Sequence, residues 1–302
     1  MIWGKVFGTL LIFGILAMVC QIAEAQAPAG SAPAAKEEYT GMTLDTLFNG
    51  SVDSSSYDYA WTTTTGYVFD KHFSVDLGIP ILFVNGTTST GTNVMNAGLG
   101  NVFGQVQFVE KSPKLNFGTV LTTALPTGDT SKGFSTGRVT YDLTAQIAHE
   151  WNRWTPFASA GVANSLFDTR YRQRPYSTLG DLAHFEAGTA FDLGRSLTLS
   201  ASVYDIAPWG TQKVYSHIVN QNAGNGASAS HGRVYQANAL TTGSSSIDAD
   251  HGFNADMDFS PWKYVEFDLA YSHSVHFQLD TVSFGVGFHL TPLLRRSGIS
   301  KN

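Results

Sequence analysis

The sequence predicts an all-β protein, an antiparallel, up-and-down transmembrane β-barrel of about twelve strands. Three observations carry this expectation. Segments of about a dozen residues alternate apolar and polar side chains, the breaks between them sort into short and long, and aromatic residues gather at both ends of the segments. A strand sends successive side chains to opposite faces, so each segment has one greasy and one wet face. A water-soluble sandwich would share the alternation. Its Greek-key crossings give no reason for the breaks to sort by length, whereas an outer-membrane barrel has tight turns on one side and long loops on the other.

The strands are expected near residues 41–50, 56–68, 73–84, 99–109, 115–125, 137–149, 155–166, 181–193, 196–207, 251–260, 264–275 and 279–290. The pattern is clearest at Phe73, Val75, Leu77, Ile79 and Ile81, which oppose Ser74, Asp76 and Gly78. It returns in the last strand, where Val282, Phe284, Val286, Phe288 and Leu290 oppose Thr281, Ser283, Gly285, Gly287 and His289. The first strand alternates worst, at Met42, Leu44 and Thr46, and is included partly because an even count closes the barrel. Pro80 removes a ladder hydrogen bond and predicts a bulge or a kink.

After even strands come short connectors such as 69–72, 110–114, 150–154, 194–195 and 261–263. After odd strands come the longer ones, 85–98, 126–136, 167–180 and 208–250, with 51–55 and 276–278 as short exceptions. Turns therefore belong in the periplasm and loops outside. Phe69, Phe73, Phe108, Trp151, Trp154, Phe157, Trp262 and Tyr264 cluster near the turns; Tyr57, Tyr59, Phe83, Phe167, Trp209 and Tyr271 gather near the loops. Two aromatic girdles at the headgroup zones are the expected outcome.

Residues 1–25 have the pattern of a secretory signal peptide: Lys5, an apolar run from Val6 to Val19, and the small-x-small site Ala23-Glu24-Ala25. Residues 26–40 form an Ala/Pro-rich flexible lead-in, 41–290 the barrel, and 291–302 a short basic tail. Cys20 is the only cysteine and leaves with the signal peptide, so no disulfide is expected. Loss of Lys5 and Glu24 takes 18 basic and 24 acidic residues to 17 and 23, a mild acidity that argues against nucleic acid as a partner. The expected location is the cell outer membrane, with its lipid as a partner.

If the apolar parity faces lipid, the other lines the interior. Lumen-lining candidates are Asp76, Asp142, His184, Glu186, Asp256, Asp258, Glu266 and Asp268, the last four on consecutive strands and therefore close together. Basic residues lie mostly at turns and loops: Arg138, Arg153, Arg195, Lys263, and Arg170, Arg172 and Arg174. An acid-lined bore favours cations, because fixed charge in a narrow low-dielectric channel is weakly screened. The alternative is that these carboxylates are simply solvated or paired. The 208–250 loop is rich in Gly and Ser; it could fold inward as a plug, but its composition favours a mobile surface loop.

Catalytic chemistry is not expected. Gly133-Phe134-Ser135-Thr136-Gly137 matches G-x-S-x-G, but that motif needs a strand–turn–helix setting, and here it falls between strands. His273 and His276 point to opposite faces of a strand, which argues against a metal site with His289. No phosphate loop, dinucleotide fingerprint or paired-cysteine site is present, and no cofactor or metal is expected.

Two stretches carry a family resemblance. Gly98-Leu99-Gly100-Asn101-Val102 and Leu125-Pro126-Thr127-Gly128-Asp129, followed by Gly133-Phe134 and Gly137, resemble the outer-membrane proteins of the MetA-pathway phenol-degradation family. Asn101 stands where that family usually has Asp. The resemblance implies a barrel that passes small, often aromatic or hydrophobic compounds, and it transfers no catalytic residues. The strand 283–290 also resembles the signal read by the outer-membrane barrel assembly machinery, which is thereby an expected partner. The functional expectation is a passive channel for small solutes without enzyme activity. The alternative is a non-transporting barrel that anchors long loops for partner binding.

Overall fold

The computed structural model describes residues 40–53, 56–87, 91–112, 115–169, 174–218, 240–262 and 264–291. The expected signal peptide, the lead-in up to residue 39 and the tail from residue 292 lie outside the described residues, as do Arg170, Arg172 and Lys263.

The wall begins with β1 (Gly41–Val52), β2 (Ser56–Val68) and β3 (Phe73–Thr87). Beside β3 lie two collinear pieces, β4 (Asn93–Leu99) and β5 (Phe103–Lys111), which share one place in the ring. There follow β6 (Asn116–Ala124), β7 (Thr140–Ala148), β8 (Trp154–Ala163), β10 (Leu182–Asp192), β11 (Leu197–Pro208), β14 (Asp250–Trp262), β15 (Val265–Ser274) and β16 (Leu279–His289). Each pairs antiparallel with the next, and β16 pairs with β1, so the ring closes on twelve positions. Closure removes the edges on which a sheet would otherwise recruit another strand. Three further strands, β9 (Tyr176–Leu179), β12 (Gln212–Ser216) and β13 (Leu240–Gly243), form a small separate sheet within the long loops.

Alternation sets the two faces as expected. Leu77, Ile79, Leu121, Leu143, Val203 and Leu269 stand 40–61% exposed on the outside. On the inner face Ser74, Thr122, Thr144, Ser202, Thr281 and Ser283 are buried. So much open apolar surface would be heavily penalised in water but is matched by acyl chains, which makes this a membrane-spanning wall. Phe69, Trp151, Trp154 and Trp262 ring the short-turn end, and Tyr57, Trp61 and Trp209 the loop end, all 48–68% exposed. Phe157 is a correction to that girdle. It falls on the inner parity of β8, is 7% exposed, and its ring lies over Gly188 on β10.

The weakly patterned first strand pairs along its whole length with β2 and over eight residues with β16. Its alternation is blurred because Leu47 shares the inner parity with Thr43, Asp45 and Asn49, opposite Gly287. Pro80 keeps its register opposite Thr62. The irregularity lies in the other neighbour: Gly78 pairs with Phe103 and Ile81 with Leu99, so residues 79–80 face residues 100–102. One extra residue is a β-bulge. The Pro80 carbonyl accepts from the Gly100 amide at 2.9 Å, so its missing N–H is directed at the bulge and costs the β2 ladder nothing.

Candidate functional site

The eight predicted lumen residues all fall on inner parities, and they separate into three groups. Asp256, Asp258, Glu266 and Asp268 come together on β14 and β15, with one carboxylate oxygen from each of Asp258, Glu266 and Asp268 lying within 4.8 Å of the others. Glu186 adjoins them through serines: Ser202 donates to Glu186 at 2.6 Å and Ser200 to Asp256 at 3.0 Å. Asp142 and His184 pair across β7 and β10 at 3.0 Å, and Thr144 donates to Asp142 at 2.8 Å. Asp76 stands apart on β3, where its Oδ1 accepts from Thr43 at 3.4 Å.

Sequence reasoning missed two members of the first group. His289 lies between Asp45 Oδ1 (3.5 Å) and Glu266 Oε2 (3.3 Å), with its side chain 6% exposed. Asp45 was hidden by the doubtful alternation of β1; its spacing of two from Thr43 is the signal that places it inward. The acidic side chains therefore run across the closing seam from β14 to β1. Among the described residues of the wall strands, Lys111 is the one Lys or Arg, at the turn end of β5.

The loop end of the bore is spanned by two straps. The segment after β8 reaches β1, where the Asn49 amide donates to the Thr169 carbonyl at 3.3 Å. On a ring of twelve, β8 stands six places from β1, which is diametrically across. The segment after β11 reaches β3 and β4: Asn96 donates to the His217 carbonyl at 2.6 Å, and Ile218 packs on Val84 and over Gly86. That crossing joins β11 to β3, six places away, and to β4, five places away, and the two straps are stitched together by β9 and β12. Val84, Phe134, Tyr176, Val214 and Ile218 form a buried apolar cluster beneath them. The composition of 208–250 favours mobility, yet 212–218 and 240–250 are folded, because the inner face of β3 turns apolar at Leu82 and Val84 and gives them a seat. Residues 219–239 lie outside the described residues.

His217 is buried in this cap with the Phe134 ring edge-on at 5.5 Å and Ser177 at 3.1 Å from its Nε2. Burial, reinforced by the charge of Arg174, pushes its pKa down to about 3, so the ring is neutral.

The two family-like motifs form one unit. Thr127 accepts from the Val102 amide at 2.8 Å and donates to the Gly100 carbonyl at 3.2 Å, while the Gly128 amide donates to Asn101 Oδ1 at 3.2 Å. The first motif is thus the β-bulge, and the second is the loop that fastens it. Asp129 then caps a short 3-10 turn (Thr130–Lys132), accepting from the Ser131 hydroxyl and amide at 2.6 and 2.8 Å. Those bonds hold its carboxyl below the usual range. Phe134 follows and enters the apolar cluster. Ser135, fully buried, accepts from the Gly137 amide at 3.1 Å, a turn-stabilising role. His273 pairs with Asp280 at 2.8 Å, whereas His289 sits on the inner face at the opposite end of the wall.

No family model and no curated protein matches the chain. Among solved structures, an outer membrane channel from Pseudomonas putida F1 is similar at a TM-score of 0.58 with 9% identity, covering 84% of this chain and 97% of that one. The KdgM porin has a TM-score of 0.47 at 7% identity (81% and 98% covered), and the NanC porin 0.45 at 10% (82% and 100%). The first likeness is one of fold alone, a closed antiparallel β-barrel; the other two are too loose to add to it.

Proposed function

We propose that the protein is a passive outer-membrane channel for small solutes, with an acid-lined bore that favours cations. The observation that supports this best is the seam of carboxylates from Asp256 to Asp45, set in a wall whose described strands carry one Lys or Arg at their turn end. Fixed charge in a narrow bore raises the local concentration of counter-ions and repels co-ions. No step of this role needs catalysis. An aromatic or hydrophobic cargo is what the family resemblance implies; the apolar cluster around Phe134 and Tyr176 is buried packing and offers such a solute no surface.

The test is a planar bilayer with a salt gradient. The purified protein should open discrete conductances with a cation-selective reversal potential. Changing Asp256 and Asp258 to Asn, Glu266 to Gln and Asp268 to Asn should move that potential toward zero. A barrel that never conducts sinks the channel reading in favour of an anchor for its loops, and an unmoved potential removes the role of the acids.

A further inference from the structure

His289 ends β16 at the turn end of the wall, where Asp45 of β1 is its ladder partner. Its main chain is fixed on both sides. The His289 amide donates to the Tyr264 carbonyl at 3.2 Å, and the Leu290 amide donates to the Leu44 carbonyl at 2.8 Å. The buried ring is held between two acids, with Nδ1 3.5 Å from Asp45 Oδ1 and Nε2 3.3 Å from Glu266 Oε2. Beyond Glu266 the seam continues, since one of its oxygens lies within 4.8 Å of oxygens of Asp268 on the same strand and of Asp258 on β14. Further round the wall, Asp76 on β3 accepts from Thr43, two residues before Asp45.

An ionised carboxylate only accepts hydrogen bonds, whereas a neutral imidazole has one N–H and one bare nitrogen. Whichever tautomer it takes, the neutral ring of His289 therefore points a lone pair at one of its two acids. Imidazolium alone donates to both, and charge-assisted bonds of this kind are the stronger ones. His184 is the contrast. It meets its carboxylate, Asp142, through Nε2 at 3.0 Å, and a neutral ring with its proton on that nitrogen keeps the contact. Proton loss thus breaks one carboxylate contact of His289 and leaves that of His184 in place. Imidazole is the side chain whose ordinary titration falls between about pH 5 and 8.

We propose that His289 is a selectivity-determining residue of the bore, an inference that rests on the reading of the seam as the cation-favouring wall. Carrying a proton on each nitrogen, it bridges Asp45 and Glu266 and masks part of the seam. Once one proton has left, it holds one of the two acids, and the charge that the seam presents to a passing ion is more negative by one. The ring lies at the turn end, so the pH on that side of the membrane sets its state. Cation preference falls as that side becomes acid.

The test uses the full-length protein and two kinds of measurement. In detergent micelles, 15N spectra of histidine-labelled protein should show a ring that passes from one proton to two between about pH 8 and about pH 5, and that signal should be missing in His289→Gln. In planar bilayers, acidifying the turn side over the same range should lower the cation-to-anion permeability ratio by about twofold, read from the reversal potential. His289→Gln should remove most of that change, and His184→Gln should keep it. Asp45→Asn serves where His289→Gln does not give a folded barrel. Its amide donates to the bare nitrogen and satisfies the neutral ring, so the pH response should shrink there too. A ring that keeps a single protonation state across the range overturns the proposal. So does a pH response of full size in His289→Gln, which would assign it to the carboxylates. A channel with no cation preference at any pH, beside a ring that titrates in micelles, overturns instead the reading of the seam on which the proposal rests.

Discussion

The hydroxyl of Thr127 accepts the amide of Val102 and donates to the carbonyl of Gly100, spanning the two residues that flank Asn101 at the apex of the bulge. A β-bulge leaves main-chain groups without ladder partners, and this one side chain satisfies one donor and one acceptor at once.

Thr127→Ala should therefore destabilise the barrel by about 1 kcal/mol, since both bonds are partly open to solvent. Thr127→Ser should retain most of that. Urea unfolding followed by tryptophan fluorescence measures the difference. Equal losses in both variants would show that packing of the methyl group, and not the hydroxyl, matters.

Two glycines in the mouth should respond differently to a methyl group. At Gly133 (φ +73°) an added Cβ would lie 1.9 Å from the main-chain oxygen of Ser216. At Gly86 it would meet the packed Ile218 side chain, with Cδ1 at 2.5 Å and Cγ1 at 2.8 Å. Backbone cannot yield as a side chain does, and a positive φ strains alanine besides. Gly133→Ala should unseat the β11 strap and enlarge single-channel conductance, while Gly86→Ala, which displaces a side chain and not backbone, has the smaller effect. A reversed order in bilayer recordings would contradict this packing.

The neutral, buried His217 makes the cap sensitive to acid. Its pKa is about 3 in the folded cap against about 6.5 when released, so the released state binds the extra proton between those values. The contribution is complete above pH 6.5 and is lost as pH falls, by about 1.4 kcal/mol per unit. Arg174 opposes the same charge, which reinforces the direction. Conductance should therefore rise as the loop-side pH is lowered from 6.5 toward 5, and His217→Gln should flatten the response. A response that persists in His217→Gln would assign the effect to the carboxylates of the wall.

The strand positions and the outward face were legible because each depends on a local period of two. Even the doubtful first strand was found, but Asp45 was not placed on its inner face, since Leu47 broke the parity that would have exposed it. Phe157 went astray for a related reason: proximity to a turn suggested a girdle, while its parity in β8 put it inside. The bulge near Pro80 was expected on the proline's own strand and lies opposite, because the strand had two neighbours and only one needed the missing amide.

The sequence by itself determined a membrane barrel with a greasy outside, since alternation, break lengths and residue type are all written within a dozen residues of one another. Only the tertiary structure decided that two short motifs are one clamped bulge. It also decided that His289 and Asp45 complete the acidic seam, and that two loops cross the bore to walls six places away. Those contacts join residues whose proximity exists only after the ring has closed, and no local period encodes which wall a loop will meet.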